Sequence, residues 1–178
     1  MCGIEKGDWL NERKLQMMQE EITESDSNRE AQLLYGNTDK YGIYQLNDDP
    51  KLAKFRFEGT ESLKRMGITK DNFDAVSPEN YKLVYMGELA ELQGQTQSET
   101  LEAIYTKFNI DHPADYKAHS LSVSDIVVLH EDGENSAHFV DSFGFTELPK
   151  FMLTLEGKEN EIQTELAVHI ADRYILMH

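Results

Sequence analysis

The sequence predicts an α+β fold with a mainly antiparallel sheet, a hairpin at 125–145 and flanking short helices, and three observations carry that prediction. Strand-like segments outnumber helical ones through the middle of the chain, hairpin signals join them, and Ile126-Val127-Val128-Leu129 is a continuous apolar run of the kind that suits a central strand covered on both faces.

Taken in order, residues 1–38 read as a polar, mainly helical, loosely attached leader. Asp8 is placed to cap a helix carrying Trp9, Leu10, Leu15, Met18 and Ile22, and the pattern dissolves in the polar run 23–28. A second apolar cluster, Leu33-Leu34-Tyr35, stops at the turn pair Gly36-Asn37. From Tyr41 the character changes: YGIYQL (41–46) is β-branched and aromatic, and Asn47-Asp48-Asp49-Pro50 ends it as a turn. KFRFEG (54–59) alternates, with Phe55 and Phe57 on one face, and so reads as a strand. A short helix follows, with Thr60 as its cap, Leu63 and Met66 facing inward and Gly67 closing it.

NYKLVYMGEL (80–89) is the next strand. In 98–110, Leu101, Ile104, Tyr105 and Phe108 fall at i, i+3, i+4 and i+7, an amphipathic helix with Ser98 or Thr100 available as N-cap. After the apolar run 126–129, Asp132-Gly133 signals a hairpin whose return spans 137–145, and Pro149 ends it. Ile162, Leu166, Ile170 and Tyr174 recur at steps of four, giving a last helix with a narrow apolar stripe. The organisation expected is therefore a leader over 1–38, an α+β domain over 39–152 and a helical extension over 153–178.

Composition narrows the function classes. The 178 residues carry 17 Lys+Arg against 33 Asp+Glu, a formal charge of −16, which argues against a binder of phosphate backbones, since that needs a basic stripe. A single cysteine, Cys2, excludes a disulfide framework and a Cys-rich zinc site. Apolar runs stay far below the ~20 residues that span a bilayer, and an export signal is missing. The expectation is a cytoplasmic protein without membrane insertion.

The candidate chemistry is weak at every motif. The opening Met-Cys-Gly-Ile resembles the start of class II glutamine amidotransferases, but it leads into a polar helix where that chemistry needs a strand. His119, His130 and His138 lie in or beside the hairpin with Asp125, Glu131, Asp132 and Asp141 nearby, and His130 and His138 could face each other across the Asp132-Gly133 turn. Their spacing matches no metal motif, so structural or solvated histidines are favoured and neither a metal nor a cofactor is expected. Ser122 or Ser124 with His130 and Asp141 makes a triad on paper, without the elbow that would expose the serine; the two serines fit better as caps of the turn into the strand. Asp141-Ser142-Phe143-Gly144 looks like the metal-binding triplet of protein kinases but has none of the accompanying motifs.

A stronger resemblance comes from Phe108-Asn109-Ile110-Asp111-His112-Pro113, then His119-Ser120-Leu121-Ser122-Val123-Ser124-Asp125, then Val140-Asp141-Ser142-Phe143-Gly144-Phe145, in that order and spacing. Together with 41–46, 54–59 and 80–89 upstream, these resemble the YodL-like domain family over roughly residues 40–151. That family is found in Gram-positive bacteria, often on integrative conjugative elements. The resemblance implies no transferable enzymatic activity and no catalytic residues.

The signature itself reads as architecture. Asp125 accepts backbone N–H groups at a turn, Asp141 sits near the sheet, and Phe143 and Phe145 cover the core, so that losing Phe143 destabilises more than losing Asp125 and losing His130 hardly matters. Exposed members of the signature (His119, Ser122, Ser124, Asp125, His130, His138, Asp141 and Phe143 are the candidates) can also form a recognition surface. The function expected is a non-enzymatic interaction module, carried by a mobile element, that binds another intracellular protein and no nucleic acid directly. The alternatives are an acidic nucleic-acid mimic of the antirestriction type and a His/Asp-based hydrolase.

Overall fold

The computed structural model describes residues 28–68, 76–94 and 96–177. The predicted helix around residues 8–22 and Cys2 lie outside them.

Five strands form one antiparallel sheet in the order β2-β1-β3-β4-β5: β1 (Lys40–Leu46), β2 (Tyr81–Glu88), β3 (Ile126–Glu131), β4 (Glu134–Val140) and β5 (Phe145–Glu147). The apolar run is the central strand β3, and it is buried on both faces, as its lack of alternation predicts. Ile126 and Val128 pack with Tyr44, Phe139, Phe151 and Leu155. Val127 and Leu129 pack with Tyr41, Ile104, Phe108 and Leu121 on the opposite face. The β3–β4 hairpin turns at Asp132-Gly133, both with positive φ (54° and 78°), the conformation that two-residue hairpin loops require.

One face is covered by a helical segment over residues 28–35 (α1), a short helix α2 (Thr60–Arg65) and the start of α4 (Pro149–Met177). Leu33 and Leu34, placed by the sequence in a loose leader, are fully buried here. Gly42 makes room for them: a Cβ on it would sit 2.5 Å from the Leu33 side chain, which would have to shift for α1 to lie this close on β1. The predicted final helix is the distal part of α4, a continuous helix of 29 residues. Its first turns bury Phe151, Met152 and Leu155, and Val168 and Ile170 further along are exposed.

The other face is covered by α3 (Gln97–Ile110), which buries Leu101, Ile104 and Phe108, while Tyr105 points largely outward. Each such side chain contributes roughly 1.5–3 kcal/mol. Its N-cap is Thr96, ahead of both predicted candidates, Ser98 and Thr100, in a full capping box with Glu99.

The predicted strand 54–59 is absent. Asp49 caps, and Pro50 opens, a 3-10 turn over Pro50–Phe55. Six alternating residues fit a strand pattern, but Asp-Pro is an equally good helical start, and here it prevails. Phe55 packs against the core, whereas Phe57 is 60% exposed with φ 67°. In α2 Leu63 is buried as expected, but Met66 follows the last helical residue and is exposed.

Candidate functional site at one end of the sheet

Three connections meet where β1 and β4 end and β3 begins: the turn 56–59, the loop 111–125 and the loop 141–144. Two aspartates fix them.

Asp125 precedes β3 and is buried. Its Oδ2 accepts from the Ser122 amide at 2.9 Å and from Gln45 Nε2 at 3.2 Å, as the sequence predicts for a turn-forming acid. Its carbonyl accepts from the Val140 amide at 2.8 Å, which extends the β3–β4 ladder into the turn. Burial pushes its carboxyl up to about 7, against the lowering effect of the Ser122 and Gln45 hydrogen bonds. Ser124 has φ 84°; its Oγ accepts from the Phe57 amide at 3.1 Å and its carbonyl from the Tyr81 hydroxyl at 2.7 Å. Ser122 instead donates through its hydroxyl to the Ser120 carbonyl. His119 closes the cluster: Nδ1 lies 2.8 Å from the Ser120 carbonyl and 3.9 Å from Asp125, and its ring meets Phe57 edge-on at 6.2 Å.

Asp141 follows β4 and is partly exposed. Oδ1 accepts from the amides of Thr60 (3.0 Å) and Ser142 (2.8 Å), and Oδ2 from the hydroxyls of Thr60 and Thr146. Burial alone would raise its carboxyl, but these donors outweigh it and hold it below the usual carboxylate range. Asp141 thus supplies the acceptor for the start of α2, a role the sequence had given to Thr60. Gly59 is required beside it, because a Cβ there would lie 2.4 Å from Ser142 Oγ and 2.7 Å from Asp141 Oδ1. The Asp141 amide donates to the Gly144 carbonyl at 3.0 Å, and Gly144 has φ 70°, so the loop is a closed, pinned turn.

Phe143 stands at the tip of that turn and is 96% exposed. The expectation that it covers the core is overturned, because the tight 141–144 turn points away from the sheet; Phe145, one residue into the register with Val140, packs against the core in part.

His130 and His138 do not meet. In register His130 pairs with Asn135 and His138 with Val127, which puts the two on opposite faces of the sheet. His130 lies at the far end, buried, with its ring nitrogens 2.7 Å from Asn135 Oδ1 and 3.0 Å from the Gly36 carbonyl. Its removal would unpair a buried network, so the expectation that it hardly matters does not hold. His138 bonds Ser136 Oγ at 2.8 Å, and burial pushes its imidazole down. The paper triad of Ser122 or Ser124, His130 and Asp141 is therefore split between the two ends of the sheet. Among the described residues there is no group of three or more His, Cys, Asp or Glu placed to hold a metal, and no helix long and apolar enough to cross a membrane.

Sequence reasoning missed Gln45, Phe57 and Tyr81. Gln45 lies inside an aromatic strand, 2% exposed, and a buried amide in such a run is itself the signal. Phe57 was hidden by the strand reading.

No curated protein and no solved structure matches the chain. The family model of the YodL-like domain matches residues 40–151, from the first residue of β1 into the first turn of α4, and so contains the whole sheet and every residue of the site. The chain belongs to the YodL-like domain family.

Proposed function

We propose that this protein is a non-enzymatic interaction module, acting in the cytoplasm of Gram-positive bacteria as part of a mobile element, that binds another protein through the 141–144 end of the sheet. The observation that carries the reading is Phe143: a large aromatic side chain displayed almost completely in solvent on a turn that five hydrogen bonds involving Asp141 hold rigid. Anchors of this kind lose little entropy when a partner's apolar pocket closes over them, and aromatic residues dominate interface hot spots.

Phe57 supports it. A phenylalanine held at positive φ costs about 1–2 kcal/mol, and such strain concentrates at functional positions. Phe57 and Phe143 belong to neighbouring turns, since Gly59 packs against Ser142.

The test is affinity capture from a Gram-positive host lysate with three baits: wild type, Phe143→Ser, and Val168→Ser as a control on the exposed part of α4. The expected result is a protein held by wild type and Val168→Ser and lost by Phe143→Ser. A wild-type bait that enriches nothing over beads, or one that holds the same set as Phe143→Ser, overturns the proposal.

A further inference from the structure

Beside the Asp125 cluster, on the α3 face near the edge strand β2, lies a groove of about 400 Å³ with an unusual charge for this chain. Arg56, Lys82 and Lys117 line it together with His119, against one carboxylate, Asp48. A cation-rich hollow in a protein of net charge −16 calls for an explanation.

The cations are aimed as well as concentrated. Lys82 Nζ donates to the Asp48 carboxylate at 3.1 Å, and Arg56 Nη2, which donates to the Asn47 carbonyl at 3.3 Å, lies 3.6 Å from the same carboxylate, so two cations from different elements flank one oxyanion. A hydrogen bond from Lys82, with the charges of Lys82, Arg56 and His119 around it, holds Asp48 below the usual carboxylate range. Asp48 itself is 82% exposed on the turn after β1, and exposed ion pairs of this kind are weak enough to exchange. Lys117 has no carboxylate within 4 Å among the described residues and remains free to add a third contact. Gln45, buried and fixed by its bond to Asp125, forms the inner wall and holds His119 in place at 3.2 Å.

We propose that this groove is an oxyanion-binding site, in which the phosphate or carboxylate group of a ligand displaces Asp48 from between Arg56 and Lys82 and is met by Lys117 from the third side. The site is separate from Phe143 and does not rest on the interaction reading.

The test is an NMR titration of the full chain with sodium phosphate and, in a second arm, sodium citrate, each at ionic strength matched with sodium chloride. Saturable shifts are expected at Arg56, Lys82, Ala118 and the Gln45 side-chain amide. Asp48→Asn, which removes the internal competitor at an exposed position, should tighten binding several-fold, and Arg56→Gln should weaken it roughly tenfold. Saturation by phosphate alone assigns a phosphoryl ligand, by citrate alone a carboxylate ligand, and by both a general oxyanion site. Shifts that stay linear and match those of chloride, or an affinity that neither variant changes, overturn the proposal. Phe143→Ser is expected to leave the titration unaltered, so this site and the interaction surface can fail independently.

Discussion

The two aspartate turns at the same end of the sheet use one residue type in opposite ways. Asp125 is buried, its carboxylate has two donors, the Ser122 amide and the Gln45 side chain, and its pKa rises to about 7. Asp141 is partly exposed, its carboxylate has four donors, two amides and two hydroxyls, and its pKa falls. Desolvation wins where donors are few, and hydrogen bonding wins where they are many. The consequence is a division of labour: the 122–125 turn builds the sheet from inside, and the 141–144 turn holds a side chain outside it.

The largest effect that would sharpen this contrast is a pH dependence. A carboxyl raised in the folded state contributes stability that is present below its unfolded value near 3.8 and is lost as pH rises through about 7. The Asp125 contribution should therefore decline by about 4 kcal/mol over that window. Urea unfolding at several pH values should show Asp125→Asn with a flatter profile than wild type; parallel profiles would place Asp125 in a solvated setting and break the comparison. Next in size, Asp125→Ala at pH 5 should lose about 1–3 kcal/mol, because the Ser122 amide and Gln45 are left without their acceptor. The loss should shrink at pH 8, where wild type carries the buried charge.

Asp141 should behave in the reverse sense and more mildly. Asp141→Ala removes a cap-like acceptor and should cost about 1 kcal/mol at pH 7. Because the carboxyl is lowered in the folded state, that contribution is present above the unfolded value and disappears as pH falls through the folded one. A difference between variant and wild type that persists at pH 2 would show that packing, not charge, holds the turn.

Much of this was legible in the sequence because it rests on local rules. The continuous apolar run marked β3 as central, Asp132-Gly133 marked the hairpin, and Asp125 was recognisable as a turn acceptor. The misreadings share another cause. For 54–59, a short alternation competed with the Asp49-Pro50 helix start, and six residues are too few for periodicity to win. Phe143 was assigned to the core on hydrophobicity alone, although the turn-forming neighbours Asp141 and Gly144 left little chain to bring it back. The groove at Arg56, Lys82 and Lys117 joins residues far apart in sequence: the β1–β2 register sets Lys82 opposite Gln45, while Arg56 arrives after the Pro50–Phe55 turn and Lys117 on the loop 111–125.

The contrast between a building turn and a displaying one is tested most directly by the unfolding free energy of Phe143→Ala. A side chain held in solvent predicts a change within about 0.5 kcal/mol of wild type in urea at pH 7. A loss of roughly 3 kcal/mol or more, the range for truncating a buried phenylalanine, would place Phe143 in the core and contradict the account.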